Sequence, residues 1–266
     1  MLAPAKTGAV CYICNHAANL ALRDGGGELS IPNTAVMKVS SSPRRTLVAG
    51  FVWPCLPIRA PVPSSGGLWL HEIKHDGFRV IARKTGKRVK LYSRPGNDLT
   101  SRFPLIVEAL AKLPSRSCII DGEAVACGDD GIADFERIRR RRNDDSVFLY
   151  AFDLIELNGD DLRHDPLTVR KGLLGNLLAG SAPGLRLNEH VEDDGPVVFE
   201  NACKLGLEGI VSKQKNSRYL SGLSQHWIKS KNPNAPAVKR KADENWGRGR
   251  PSARTNALYL QPSASY

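Results

Sequence analysis

The sequence predicts an α+β domain with antiparallel sheets rather than a doubly wound parallel fold. Strand-like and helix-like patterns follow one another without a regular βαβ rhythm. An early hairpin is written into residues 78–91, where the alternation of Phe78, Val80 and Ala82 is divided from Val89–Leu91 by Thr85-Gly86. No internal repeat competes with this reading.

Residues 1–50 show no sustained periodicity and carry Gly25-Gly26-Gly27 and Ser40-Ser41-Ser42-Pro43, so a poorly ordered N-terminal arm is expected. Pro54, Pro57, Pro61 and Pro63 predict an extended lead-in, with the compact domain beginning near Leu68. In Trp69–Lys74 the alternation puts Leu70, Glu72 and Lys74 on one strand face and Trp69, His71 and Ile73 on the other; Asp76-Gly77 breaks the run. Helical spacing of Phe103, Ile106, Val107 and Leu110 predicts a helix over 102–113, stopped by Pro114. Cys118–Ala126 reads as an apolar strand interrupted by Asp121-Gly122-Glu123, and residues 133–142 as a short basic helix ending in four arginines. Val147–Leu157 is a strongly apolar strand closed by Asn158-Gly159. Asp165-Pro166 looks like the cap and first turn of a helix reaching about Leu178. A short strand at Leu185–Leu187, a helix over 196–205 stopped by Gly206, and strands over 207–213 and 226–231 complete the domain. The expected division is an arm (1–50), a domain (51–233) and a basic disordered tail (234–266).

With 266 residues and 41% hydrophobic content the chain can bury one large core or two modest ones. A net charge of +11 favours solubility and attracts polyanions such as nucleic acid. No apolar run reaches membrane-spanning length and the N-terminus lacks a signal-peptide apolar core, so no membrane partner and a cytoplasmic location are expected. Cysteines at 11, 14, 55, 118, 127 and 203 do not form a disulfide framework. Cys11, Cys14 and His16 make half a zinc site at most, since four ligands are needed and no second pair follows.

The chemistry centres on Lys74-His-Asp-Gly-Phe-Arg79. As a lone lysine between acids it would be a solvated strand edge. Five more blocks follow it: Ser93-Arg94-Pro95-Gly96, Asp121-Gly122-Glu123, Tyr150-Ala151-Phe152-Asp153, Glu208–Lys213 and Trp227–Lys231. In type, order and spacing these six resemble the motifs of the covalent nucleotidyltransferase superfamily of DNA ligases, RNA ligases and mRNA-capping enzymes. Over about residues 51–246 the resemblance is to the bacterial ATP-dependent DNA ligase family, and it implies a ligase adenylation domain with antiparallel sheets flanked by helices.

The resemblance also implies site roles. Lys74 would attack the α-phosphorus of ATP and hold AMP through a P–N bond before AMP passes to a DNA 5′-phosphate and a 3′-hydroxyl seals the nick. A lysine attacks only as the neutral amine, which neighbouring cations favour; Arg79, Lys229, Lys231 and a bound metal are the candidates. Lys229 and Lys231, on one strand face, would neutralise the α-phosphate. Glu72 and Arg79 would belong to the nucleotide site, Glu123 would contact ribose or metal, and Glu208 would help hold Mg²⁺. Phe152 would stack on adenine, its bland alternative being plain core. Arg94 would contact the nucleotide or the DNA 5′-phosphate. ATP and Mg²⁺ are thus the expected cofactors and nicked duplex DNA the expected partner, in DNA repair or recombination. Family enzymes carry a further OB-fold domain; only 35 residues follow Lys231 (266 − 231), so an adenylation domain alone is expected. Other repair proteins or an OB domain acting in trans would be further partners. RNA ligation, GTP-dependent capping-type transfer and a non-catalytic DNA-binding remnant stay open as alternatives.

Overall fold

The computed structural model describes residues 50–141, 144–236 and 238. Residues 1–49 of the N-terminal arm, with the Cys11–His16 segment, Arg142 and nearly all of the basic tail lie outside them. Eleven strands and four helices follow in order among the described residues: β1 (Cys55–Arg59), β2 (Trp69–Ile73), β3 (Phe78–Thr85), β4 (Arg88–Ser93), α1 (Pro104–Lys112), β5 (Ser117–Val125), α2 (Phe135–Arg139), β6 (Phe148–Leu157), β7 (Asp160–Asp161), α3 (Leu167–Leu178), β8 (Leu185–Leu187), β9 (His190–Val191), α4 (Gly195–Lys204), β10 (Gly209–Gln214) and β11 (Gly222–Lys231). They form two sheets, one ordered β1-β11-β10-β2-β9 and the other β4-β3-β5-β6-β7, with β8 also on β6. Pairing is antiparallel except for β1 with β11 and β6 with β8, so the α+β expectation holds.

Period-2 alternation builds both faces of the second sheet. Val80 and Ala82 of β3, Ile120 of β5 and Leu149 of β6 face the main apolar core, which α1 covers with Ile106 and Leu110 and α3 with Leu174. The opposite residues, Ile81, Ile119, Phe152 and Ile155, pack with Cys55, Tyr219 and Trp227 in a second core that joins the two sheets. α1 ends where the sequence says it must, because Leu113 precedes Pro114 and takes an extended conformation (φ −57°, ψ 141°).

Several boundaries differ from expectation for identifiable reasons. The proline-rich lead-in is part of the fold: β1 pairs parallel with β11 as an edge strand, where Pro57 costs no central ladder bond. Asp121-Gly122-Glu123 does not interrupt β5, which runs unbroken with register shifts against β6 on either side of Ile120-Asp121. A Cβ on Gly122 would lie 2.6 Å from the Tyr150 carbonyl oxygen, so the glycine answers a close strand approach rather than a turn. Asp165 does not cap α3. The backbone carbonyl of Pro166 accepts from Val169 and Arg170, and the Asp165 carbonyl accepts from the Arg170 guanidinium instead. The basic helix shrinks to the five residues of α2, where Arg139 and Arg140 pair with Glu136. Gly206 does end α4, at φ +72°, and β10 starts only at Gly209, which leaves Glu208 in the connection between them.

Candidate functional site

Lys74 is the first residue past β2. Its backbone N–H donates to the Gly209 carbonyl at 3.0 Å, tying the end of β2 to the start of β10. Gly77 makes the next turn possible, since a Cβ there would stand 2.2 Å from the Ala124 carbonyl oxygen. The Lys74 ammonium donates to Glu208 Oε2 at 2.6 Å, and Lys231, at the end of β11, donates to Glu208 Oε1 at 2.6 Å. One carboxylate therefore carries two ammonium groups, one on each oxygen. Burial alone would raise the Glu208 carboxyl, but the two lysines outweigh it and hold it below the usual range.

Glu123 projects from β5 opposite Arg79 of β3. Burial pushes its carboxyl up to about 7; Lys74 and Arg79 oppose this, and the carboxylates of Glu208 and Asp121 reinforce it. Arg79 is committed elsewhere. Its guanidinium makes a two-pronged pair with Asp121 at 2.5 and 2.7 Å, donates to the Cys55 carbonyl at 2.9 Å, and lies 4.4 Å from the centroid of Phe152. Although burial disfavours the charge, Asp121 keeps Arg79 firmly protonated. Lys213 Nζ also stands 4.4 Å from the Phe152 centroid, and Trp227 meets that ring edge-on at 6.2 Å. At 7% exposure the ring is nearly enclosed, so a base that stacks on it must displace part of this packing.

Glu72 is buried in β2 between Lys171 of α3 (2.6 Å) and Lys213 of β10 (2.7 Å). Burial would raise its carboxyl, and the two lysines more than offset that, so it stays ionised. His75 stacks flat on Tyr150 (3.8 Å, 6°) and bonds to Asn188 at 3.0 Å. Burial lowers its ring to about 4, with Lys74 adding to the effect, so it is neutral at pH 7.

Glu72, Lys74, His75, Arg79, Glu123, Phe152, Asn188, Lys213 and Trp227 all border one narrow cavity of about 70 Å³. Lys74 and His75 are also walls of a wider cleft of about 520 Å³, together with Asp76, Glu208 and Arg137. Five of the residues singled out in the sequence thus border the narrow cavity, Lys74, Glu72, Arg79, Glu123 and Phe152, and Lys74 is shared with the wider cleft, where it meets Glu208, to which Lys231 is joined. Arg94 is not among them. It is exposed on the rim of a separate groove with Trp53, Leu56 and Gly222. Lys229 is half-buried two residues before Lys231, opposite Val211. Sequence reasoning missed Asn188, Lys171, Lys213 and His75 as members of the site. Only Lys213 and His75 had a signal, since both lie inside motif blocks.

With this geometry in hand, the sequence model described as "ATP dependent DNA ligase domain" matches residues 60–231. The chain belongs to that family. It is 32% identical over 209 residues to the multifunctional non-homologous end joining protein LigD of Pseudomonas aeruginosa, covering 77% of this chain and 25% of that protein. It is 32% identical to the SPbeta prophage-derived DNA ligase-like protein LigB of Bacillus subtilis, over 67% of both chains. A mycobacterial DNA ligase D solved with ATP and MES superposes with a TM-score of 0.61 at 30% identity, covering 67% of this chain and 60% of the other. The chain spans about a quarter of the length of the LigD relative it matches. Among its described residues no helix is long and apolar enough to cross a membrane.

Proposed function

We propose that this ligase domain transfers AMP through Lys74 from ATP to the 5′-phosphate of nicked duplex DNA and then seals the nick. The observation that carries the reading is the single carboxylate, Glu208, that holds Lys74 and Lys231 together, with Lys74 also lining the cavity walled by Glu123 and Phe152. In the first step the Lys74 Nζ lone pair attacks the α-phosphorus, a P–N bond forms, the α–β P–O bond breaks, and pyrophosphate leaves with the electron pair. The amine must first lose a proton and leave Glu208. Lys231 stays on that carboxylate, so Glu208 is not stranded as a buried unpaired charge when Lys74 departs. Lys231 and Lys229 are the cations on this strand suited to the growing phosphate charge. Phe152 is the stacking surface for adenine, with Lys213 or Arg79 shifting to admit it. Glu72, kept ionised, is the acceptor at the inner end of the cavity, and Arg94, on its own exposed groove, suits a DNA phosphate.

Mg²⁺ fits this site as a partner of substrate rather than as a resident ion. Among the described residues no group of three or more His, Cys, Asp or Glu is arranged to hold a metal, whereas magnesium in phosphate chemistry takes one or two carboxylates and completes its shell with phosphates and water. Glu123 and Glu208 supply that pair; burial raises the Glu123 carboxyl to about 7, a penalty that a bound cation would relieve. When bound, the ion would neutralise the phosphates and compete with Lys74 for Glu208. In the next steps the 5′-phosphate oxygen of the nick attacks the α-phosphorus and frees Lys74. The 3′-hydroxyl then displaces AMP. Other repair proteins or an OB-fold domain are proposed partners, and the cytoplasm, which holds both ATP and DNA, the proposed compartment.

The test is the protein with α-labelled ATP and Mg²⁺, followed by a nicked duplex. The reading expects a covalent adduct that the nick discharges, and none with Lys74→Arg, because an arginine cannot offer a neutral amine. An undiminished adduct in that variant overturns the assignment.

A further inference from the structure

Asn188, in the connection between β8 and β9, is not part of any sequence motif, yet it touches both sides of Lys74. Its side-chain Nδ2 donates to the Ile73 carbonyl oxygen at 3.2 Å and to Glu72 Oε2 at 3.4 Å, and its Oδ1 meets His75 Nε2 at 3.0 Å. It is 2% exposed. Its backbone is equally anchored: the N–H donates to Ala151 of β6 at 2.7 Å, and the carbonyl accepts from Lys171 of α3 at 3.0 Å.

Chemistry fixes the orientation of this amide. A carboxylate and a backbone carbonyl can only accept, so the NH₂ end must face Glu72 and Ile73 and the oxygen must face His75. It follows that His75 carries its proton on Nε2 and donates it. The low pKa of the ring keeps it a neutral, single-tautomer imidazole at pH 7, lying flat on Tyr150. Residues 72, 73 and 75 are therefore all held to one buried side chain, and residue 74 is held at its own backbone by Gly209. Only the side chain of Lys74 remains to move. The anchor comes from the second sheet, through Ala151 of β6, while Lys74 extends from the first.

Building on the reading of Lys74 as nucleophile, we infer that Asn188 is its positioning residue: it clamps the flanking backbone so that Nζ meets the α-phosphorus in line. Its side-chain hydrogen bonds go to Glu72, Ile73 and His75 and not to Lys74 Nζ. Its loss acts on the rate of attack more than on nucleotide affinity, and misplacement of a nucleophile by about 1 Å costs on the order of 10²-fold in rate.

The experiment measures adduct formation from α-labelled ATP and Mg²⁺ in single turnover, across ATP concentration and pH, for wild type, Asn188→Ala and Asn188→Asp, with the melting temperature of each. For N188A the expected result is a maximal rate lower by about 10²-fold with half-saturating ATP within threefold of wild type. N188D supplies a readout that a merely structural role would not move. Its carboxyl, when ionised, cannot donate to Ile73 or Glu72; when protonated, it donates once and still accepts from His75. The ratio of its rate to wild type should therefore rise as pH falls. If N188A does not fold, His75→Phe, which keeps the ring on Tyr150 and removes one arm of the clamp, takes its place with the same expected split. An N188A rate within threefold of wild type, or an N188D ratio flat with pH, overturns the clamp while the wild-type adduct upholds Lys74. A wild type that forms no adduct overturns the nucleophile reading and the clamp with it.

Discussion

The two faces of the β3-β5-β6 sheet are built on opposite principles. One face, under α1 and α3, is almost wholly apolar: Leu91, Phe103, Ile106, Leu110, Ile120 and Leu154 are all fully buried there. The other face meets the β2-β10-β11 sheet across a seam full of charge. Arg79 pairs with Asp121, Arg170 with Asp153 (both fully buried), Glu72 with two lysines, and Glu208 with two more. Burying apolar area drives folding, whereas desolvating ion pairs returns little net stability even when they are well made. The first face is what makes the domain fold. The seam brings Lys74, Glu72, Glu123 and Phe152 together around one cavity.

The difference can be broken by removing single members of each side. The largest effect on stability is expected in the seam, at Asp153→Ala, which leaves the Arg170 guanidinium buried and unpaired and should cost about 3–5 kcal/mol, read by urea unfolding. Replacing both members with apolar residues of similar volume should cost far less, and an equal cost would show that the pair is a net source of stability. On the apolar face Leu110→Ala should cost about 2–5 kcal/mol. Adduct formation per folded molecule should not change, and a specific loss of activity would mean that the two faces are coupled.

Glu123→Gln should separate the two roles of the seam by sign. The folded carboxyl titrates near 7 rather than at its ordinary 4.5, so its protonated form is the one that folding favours. The stability this contributes is complete below about pH 4.5 and is lost as pH rises through 7. Removing the charge should make the variant more stable than wild type at pH 8, by up to about 3 kcal/mol, with no difference at about pH 4, while Mg²⁺-dependent adduct formation collapses. A variant less stable than wild type at pH 8 would contradict the burial of an uncompensated charge. The smallest effect is expected at Phe152→Ala, which should weaken ATP binding by about 1–3 kcal/mol if adenine stacks on the ring. Unchanged affinity in a folded variant would return Phe152 to the inter-sheet core.

Much of this was legible in the sequence because local pattern governed it. The β3–β4 hairpin, α1 and β6 follow from alternation, helical spacing and breakers that act within a few residues. The six motif blocks marked most of the cavity wall through their resemblance to the ligase motifs, since local pattern alone made Lys74 a solvated strand edge and Phe152 plain core. What the sequence concealed depends on distant partners. Asp121-Gly122-Glu123 reads as an interruption of the strand until Arg79, Tyr219 and the close approach of β6 are in place around it. Lys171 and Arg170 look like the solvated face of a helix, and their burial follows from Glu72 and Asp153, which are 99 and 17 residues away in sequence. Pro57 and its neighbours predicted only an extended lead-in, and its pairing with β11 as an edge strand depends on a partner more than 160 residues away. Asn188 is an ordinary polar residue between two short strands, and nothing near it in sequence indicates that it bonds to the residues on either side of Lys74.

The most direct test of the account is where AMP ends up. The protein is incubated with ATP and Mg²⁺, denatured, digested and mapped by mass spectrometry. The account predicts one acid-labile AMP adduct, on Lys74, discharged by a nicked duplex. AMP on Lys231, Lys213 or any residue outside the cavity, or a Lys74 adduct that the nick leaves in place, would contradict it.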